Sequence, residues 1–289
     1  MHFAGMSIKE IDRLAYQRVL NKYAKNHSTA SVRKLNIYMR ACFRDAINDD
    51  VIFKDPTYKA VTIGKVAEKK ESLKYINFKD AQKLIAELMG DLRPRYISRY
   101  MILFGLATGC RFSEVLGMTW DCIDTKKRTA KIDKTWDYQD TNTFAPTKNK
   151  ASIRVIRLDK QTCEWLDDLK SSQKKSAVKS GLRNKSNLCF VNDQMNLVTN
   201  TAVNKCLKSL CTKIEINSIT FHSLRHTHAS MLLYKGINIK YISRRLGHKS
   251  VITTLNTYSH IIDELEQRDS EATDLALNDL YAMRKISAE

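Results

Sequence analysis

Apolar residues recur at helical spacing along most of this chain. Ile8, Ile11, Leu14, Ala15 and Val19 predict a helix over residues 7–24, with Ser7 as N-cap and Glu10 completing a capping box. Val32, Leu35, Met39, Phe43 and Ile47 form one stripe of a second helix over 28–48. Pro56 stops that module, and residues 57–75 have weak periodicity and dense lysines, as a linker crossing a surface would. Helical patterning resumes at 78–90, 94–107 and 113–119, the last with Ser113 or Thr108 as cap. Residues 128–136 and 153–159 read as a β-hairpin pair whose connection contains Pro146 and Asn149. Helices follow at 160–170, 199–212, 223–235, 239–246 and 251–262. Between them, 172–186 is rich in lysine and free of acid, hence either a mobile surface loop or a phosphate-facing one. No internal repeat is present. The pattern predicts a mainly α protein with a small antiparallel β-sheet, split near 64–75 into two modules.

Charge sharpens this picture. The 289 residues carry 49 Lys plus Arg against 31 Asp plus Glu, a formal +18, with 43% hydrophobic residues, enough to fold. Residues 65–262 hold 35 basic and 17 acidic residues, whereas 263–289 hold 3 and 8. The body therefore suits a polyanionic partner, and the tail is a separate electrostatic object. Within the second helix Arg33, Lys34, Arg40 and Arg44 lie off the apolar stripe, either facing phosphates or merely solvated. The seven cysteines are odd in number and match neither a zinc module nor a redox pair, so they read as small buried hydrophobes of a reducing cytosol. There is no signal peptide and no run of 18 apolar residues, so no membrane is expected.

The densest chemistry lies at Thr220–His228. His222 and Arg225, three apart, share one face at a helix start, where an anion is favoured. His226 and His228 lack a carboxylate at ligand spacing, so no metal is expected there. His248 follows Gly247 at a helix exit, and Tyr258 comes ten residues later. Far upstream Arg111 follows a glycine turn with Glu114 one turn on, placed to orient the guanidinium, and Lys148 lies in the hairpin connection. A tyrosine on a helix is ordinarily packing, and His222 with Arg225 could be a cap and a surface pair.

Together these stretches resemble the tyrosine site-specific recombinases, and more closely the integrases of temperate phages and integrative elements of Gram-positive bacteria. The resemblance is carried by ATGCRFSEVLGMTW (107–120), PTKNKASIRVIRL (146–158), HSLRHTHASMLLYKGINIKYISRRLGHKS (222–250) and TTLNTYSHII (253–262), with weaker support from 28–57. It implies a two-domain C-clamp around DNA. Residues 1–64 would be a core-binding helical domain, N-terminally truncated, 65–75 a linker, 76–262 the catalytic domain, and 263–289 an acidic tail. It implies Tyr258 as nucleophile and Arg111 and Arg225 as phosphate clamps. His222 would bind the phosphate or take the phenolic proton. Lys148 would protonate the leaving oxygen, His248 would donate to the phosphate, and Glu114 would support Arg111. No cofactor or metal is implied, because the phosphotyrosyl bond conserves the phosphodiester energy. The implied partners are double-stranded attachment-site DNA, a homotetramer on synapsed DNA (a monomer in free solution) in which strand exchange passes through a Holliday junction, and an excisionase or host DNA-bending protein. The setting would be the bacterial cytosol, at the nucleoid. The tail helix 271–286 (Leu275, Leu277, Leu280, Met283, Ile286) would dock on a neighbouring protomer or fold back on its own. A type IB topoisomerase or a non-catalytic DNA-binding regulator are the competing readings, the second disfavoured because binding alone needs no nucleophile.

Overall fold

The computed structural model describes residues 5–67 and 75–286. The chain divides into two compact units, Met1–Lys70 and Glu71–Glu289. Part of the expected linker, 68–74, lies outside the described residues.

In the first unit the expected helix over 7–24 is two pieces. The Ser7–Glu10 capping box opens only a 3-10 turn, Ile8–Glu10. Asp12 then restarts the chain as N-cap, its Oδ1 accepting from the Ala15 amide at 2.7 Å, and α1 runs Arg13–Ala24. The restart turns Leu14 outward, 72% exposed, and buries Tyr16, Leu20 and Ala24 instead. These pack on Val32, Phe43 and Ala46 of α2, Thr29–Asn48, whose N-cap is Ser28. The Tyr16 ring meets Phe43 edge-on at 5.7 Å, and its hydroxyl donates to Asn36 Oδ1 at 2.7 Å. Each such buried large side chain stabilises by about 1.5–3 kcal/mol. Arg33, Lys34, Arg40 and Arg44 are exposed on the opposite face. Residues 61–66 fold back on this unit: Gln17 exchanges two hydrogen bonds with Val61, and the Gly64, Lys65 and Val66 amides donate to Thr29, Ala24 and His27.

The second unit is built around α4, Ile97–Thr108, which is buried on nearly every side. Against it lie α3 (Phe78–Met89), α7 (Asn200–Lys213) and α8 (Phe221–Tyr234). Trp165 of α6 (Lys160–Ser180) packs beside Tyr100 and Phe104. α6 outruns the expected 160–170 and absorbs the first part of the lysine-rich stretch. Gln173 explains the extension: it accepts from Trp120 Nε1 and donates to the Cys189 and Val191 carbonyls, anchoring the added turns.

The expected strand 128–136 is also two. β2 (Thr129–Ile132) pairs antiparallel with β5 (Arg154–Arg157), in the register Thr129↔Arg157 to Ile132↔Arg154, and with the short β1 (Ile123–Asp124). β3 (Lys134–Asp137) instead forms its own hairpin with β4 (Thr143–Pro146). The chain thus turns twice between the two expected strands. Of two short helices, α5 (Phe112–Leu116) packs on β3 and α9 (Ile239–Leu246) on β5, and α10 runs Val251–Ile286 with non-helical backbone angles at Tyr258. Five cysteines are buried and Cys206 is half-buried, but Cys42 is exposed on α2, against expectation. No described helix is long and apolar enough to cross a membrane.

Candidate active site

Three chain reversals in the second unit bring the candidate residues together. The first is the exit from α4. Gly109 adopts a left-handed conformation (φ 69°), and a Cβ there would lie 2.7 Å from Leu246 and 2.9 Å from His228, so only glycine fits. The turn delivers Arg111 to the N-cap of α5, not Ser113 or Thr108. The Arg111 amide donates to Glu114 Oε2 at 2.9 Å and its Nη1 to Oε1 at 2.8 Å. Thr108 Oγ1 is occupied by the Phe104 carbonyl one turn back.

The second reversal is the start of α8, where Phe221 N donates to Asn204 and Thr220 pairs with Ser223. His222 is exposed there, while Arg225, one turn on, is buried at 3% exposure. The Arg225 guanidinium donates to the carbonyls of Gly109 (2.8 Å) and Leu246 (2.7 Å), at the C-terminal ends of α4 and α9. Both helix ends carry partial negative charge, which suits a buried cation. Burial, seconded by Arg111, lowers its pKa to about 10, so it stays protonated at neutral pH.

The third is the exit from α9 through Gly247 (φ 71°), which sets His248 against Thr254, Nδ1 to Oγ1 at 2.8 Å. Burial, then Arg225 and Arg111, push the His248 pKa down to about 4, and His222, though its residue reaches solvent, is lowered by partial enclosure of its ring and then by the same two arginines. Both imidazoles are therefore neutral at pH 7. Tyr258 sits at the break in α10, 2% exposed. Its ring lies 5.7 Å from His226, which stands edge-on to His222 at 4.9 Å. Burial raises the phenol to about 12, opposed by Arg225.

Arg111, His222, Arg225, His248 and Tyr258 thus face one region from four elements, joined by contacts and mutual electrostatics. Lys148 does not join them: it is exposed on the β4–β5 connection, and among the described residues no hydrogen bond or ion pair ties it to the others. Glu114, 1% exposed, is held below the ordinary carboxylate range, burial being outweighed by Arg154 and Arg111.

Three further side chains hold the site together, and neither Arg154 nor Arg245 is marked by any motif. Arg154 shares the Glu114 carboxylate with Arg111, bonding its two oxygens at 3.1 and 3.0 Å. Arg245 donates to His228 Nε2 (3.0 Å) and to the Arg157 and Ala107 carbonyls. His228, weighed only as a metal ligand, sits between Arg245 and the Leu106 carbonyl (2.8 Å), so its Nδ1 carries the proton. The one available signal was Arg154 two residues from Ile156 on a strand, hence on the same face as a core residue.

Residues 74–264 match the phage integrase family. The chain is 26% identical to a XerC-like tyrosine recombinase of Caldanaerobacter subterraneus subsp. tengcongensis, covering 96% of this chain and 73% of that protein. It is 25% identical to the integrase of Staphylococcus phage L54a, covering 91% and 79%. The fold is similar to that of the Tn1549 transposon integrase solved with transposon right end DNA, with a TM-score of 0.73 at 18% identity over 90% of this chain and 86% of that one. With the family match spanning about two thirds of its length, the chain belongs to the phage integrase family and is a tyrosine recombinase, an enzyme that cleaves and rejoins DNA.

Proposed function

We propose that this chain recombines attachment-site DNA of a mobile element through a 3′-phosphotyrosyl intermediate, with Tyr258 as nucleophile. The observation that carries the assignment is the convergence of two guanidiniums and two neutral imidazoles on the region of a single buried tyrosine. The Tyr258 phenolic oxygen attacks the scissile phosphorus, and the bond from phosphorus to the 5′-oxygen breaks. Arg111 and Arg225 take the charge that builds on the non-bridging oxygens, each donor contributing about 10²–10³ in rate. His248 Nδ1 is hydrogen-bonded to Thr254 Oγ1, and in this mechanism it accepts there, so that Nε2–H donates to the phosphate. Neutral His222 accepts the phenolic proton, and Lys148, carried in on the β4–β5 connection, protonates the leaving 5′-oxygen. Religation runs the same steps in reverse with a second duplex's 5′-hydroxyl, so no metal or nucleotide takes part.

Tyr258 is buried and its phenol resists ionisation, so attack requires the segment around the α10 break to move when DNA binds. The exposed basic face of α2 grips the duplex beside the crossover site. On the acidic end of α10, Leu275 (67%) and Leu277 (44%) are exposed. They dock on a neighbouring protomer in a tetramer assembled on DNA, with an excisionase or DNA-bending protein setting direction.

The test is a nicked suicide duplex made from the repeats flanking the encoding element. The wild type should form a covalent protein–DNA adduct that Tyr258→Phe abolishes. Joint molecules between two duplexes should follow. Adduct formation by Tyr258→Phe would refute the assignment, and relaxation of supercoils without joint molecules would mark a topoisomerase.

A further inference from the structure

Arg154 opens β5, and strand alternation places it on the same side as buried Ile156, whereas Val155 between them is 64% exposed. Its side chain is only 7% exposed. A guanidinium buried on the inward face of a strand needs partners for its donors, and here those partners belong to the machinery of the site. Nη1 and Nη2 form a fork on the two Glu114 oxygens, at 3.1 and 3.0 Å. Nη1 also donates to the Ser152 carbonyl at 2.8 Å, and Nε to the Arg245 carbonyl at 2.6 Å.

We infer that Arg154 is a positioning residue for strand cleavage, setting three proposed catalytic groups through three separate contacts. Through Glu114 it sets Arg111. The buried carboxylate is shared between the two guanidiniums, so Arg154 fixes its orientation and keeps it from drawing Arg111 off the phosphate. Through the Arg245 carbonyl it holds the last turn of α9, whose Leu246 carbonyl is taken by Arg225, and so fixes the exit that presents His248. The fit there is close: a Cβ on Gly247 would lie 2.9 Å from Arg154 Nη1. Through Ser152 it holds the 3-10 turn Lys150–Ser152, which Asn149 caps directly after Lys148. Ser152 Oγ in turn lies 3.5 Å from Arg111 Nη1. The chain position that carries Lys148 is thereby registered to the arginine side of the pocket.

The inference rests on Arg111 acting at the scissile phosphate, and the experiment separates the two. Single-turnover adduct formation on the suicide duplex, at saturating protein, reads the chemical step, and gel-shift titration reads binding. Arg154→Ala and Arg154→Lys should each slow cleavage about 10–100-fold with DNA affinity retained, because lysine keeps the charge but loses the fork. Glu114→Gln, which keeps the shape but not the charge, should reproduce the loss. In an Arg111→Lys background the further loss from Arg154→Ala should be smaller than in the wild type, because the route through Glu114 is already broken and only those through Arg245 and Ser152 remain. Cleavage by Arg154→Ala at the wild-type rate, or losses that simply multiply with Arg111→Lys, would overturn the inference while leaving Arg111 assigned. Wild-type cleavage by Arg111→Lys would instead remove the reading it rests on. Thermal melting accompanies each variant. Should Arg154→Ala not fold, Arg154→Lys and Glu114→Gln carry the same comparison.

Discussion

Among single side chains, His228 shows how burial turns into pH dependence. It is fully enclosed, accepts from Arg245, donates to Leu106, and its pKa is pushed down to about 3, chiefly by burial and then by Arg245. In the unfolded chain the same imidazole titrates near about 6.5. Below that pH the unfolded state binds a proton that the folded state refuses until about pH 3. Stability contributed by neutral His228 is therefore complete above about pH 6.5 and declines toward pH 3, by up to about 1.4 kcal/mol per pH unit. Urea unfolding at pH 7, 6 and 5 should show the decline, and His228→Gln should flatten it; parallel slopes for the two proteins would remove the explanation. Gly109 carries a second prediction. Alanine there meets both a left-handed φ and the Leu246 and His228 side chains, so Gly109→Ala should cost about 1–3 kcal/mol, read from the urea midpoint. At this scale the residues of the resemblance were legible because their types and order survive without coordinates. Arg154 and Arg245 were not, because, Ser152 apart, the side chains and carbonyls they join lie 17 to 138 residues away in sequence.

Elements were legible where a single periodicity runs uninterrupted. α9 begins and ends where its apolar spacing and Gly247 place it, and α2 runs Thr29–Asn48 against the expected 28–48. Errors arose where a side chain made a competing local bond. Asp12 restarted α1, Arg111 took the cap of α5, and Gln173 carried α6 on to Ser180. The run 128–136 divides because two antiparallel pairings share one β-prone stretch, and only the Lys134↔Pro146 register separates them. α10 ends in apolar positions set among acids: Leu275 and Leu277 are exposed, and the side chains of Leu280, Met283 and Ile286 lie outside the described set. Replacing Leu275 and Leu277 with Asp should leave the melting temperature of the free protein unchanged and lower the sedimentation coefficient of the DNA complex. A lowered melting temperature would mean that the tail packs on its own chain.

Across the whole molecule, the formal charge of +18 predicts DNA binding that weakens steeply with salt. Replacing Arg33, Lys34, Arg40 and Arg44 by Ala should flatten the slope of log K against log salt by up to about 3–4 units, about 0.9 for each phosphate no longer neutralised. An unchanged slope would place that face of α2 off the DNA. The sequence by itself determined the helical class, the presence of small antiparallel β-structure and the basic body with its acidic end, since composition and periodicity are local properties that need no coordinates, and the reaction entered through the family resemblance that its motifs carry. Only the tertiary structure decided which residues share a charge or a carbonyl: Glu114 between Arg111 and Arg154, Arg225 across two helix ends, Tyr258 buried at a break in its helix. Those pairings depend on where helix caps and strand registers bring distant segments to within about 3 Å, the hydrogen-bonding distance, and no local pattern encodes that approach.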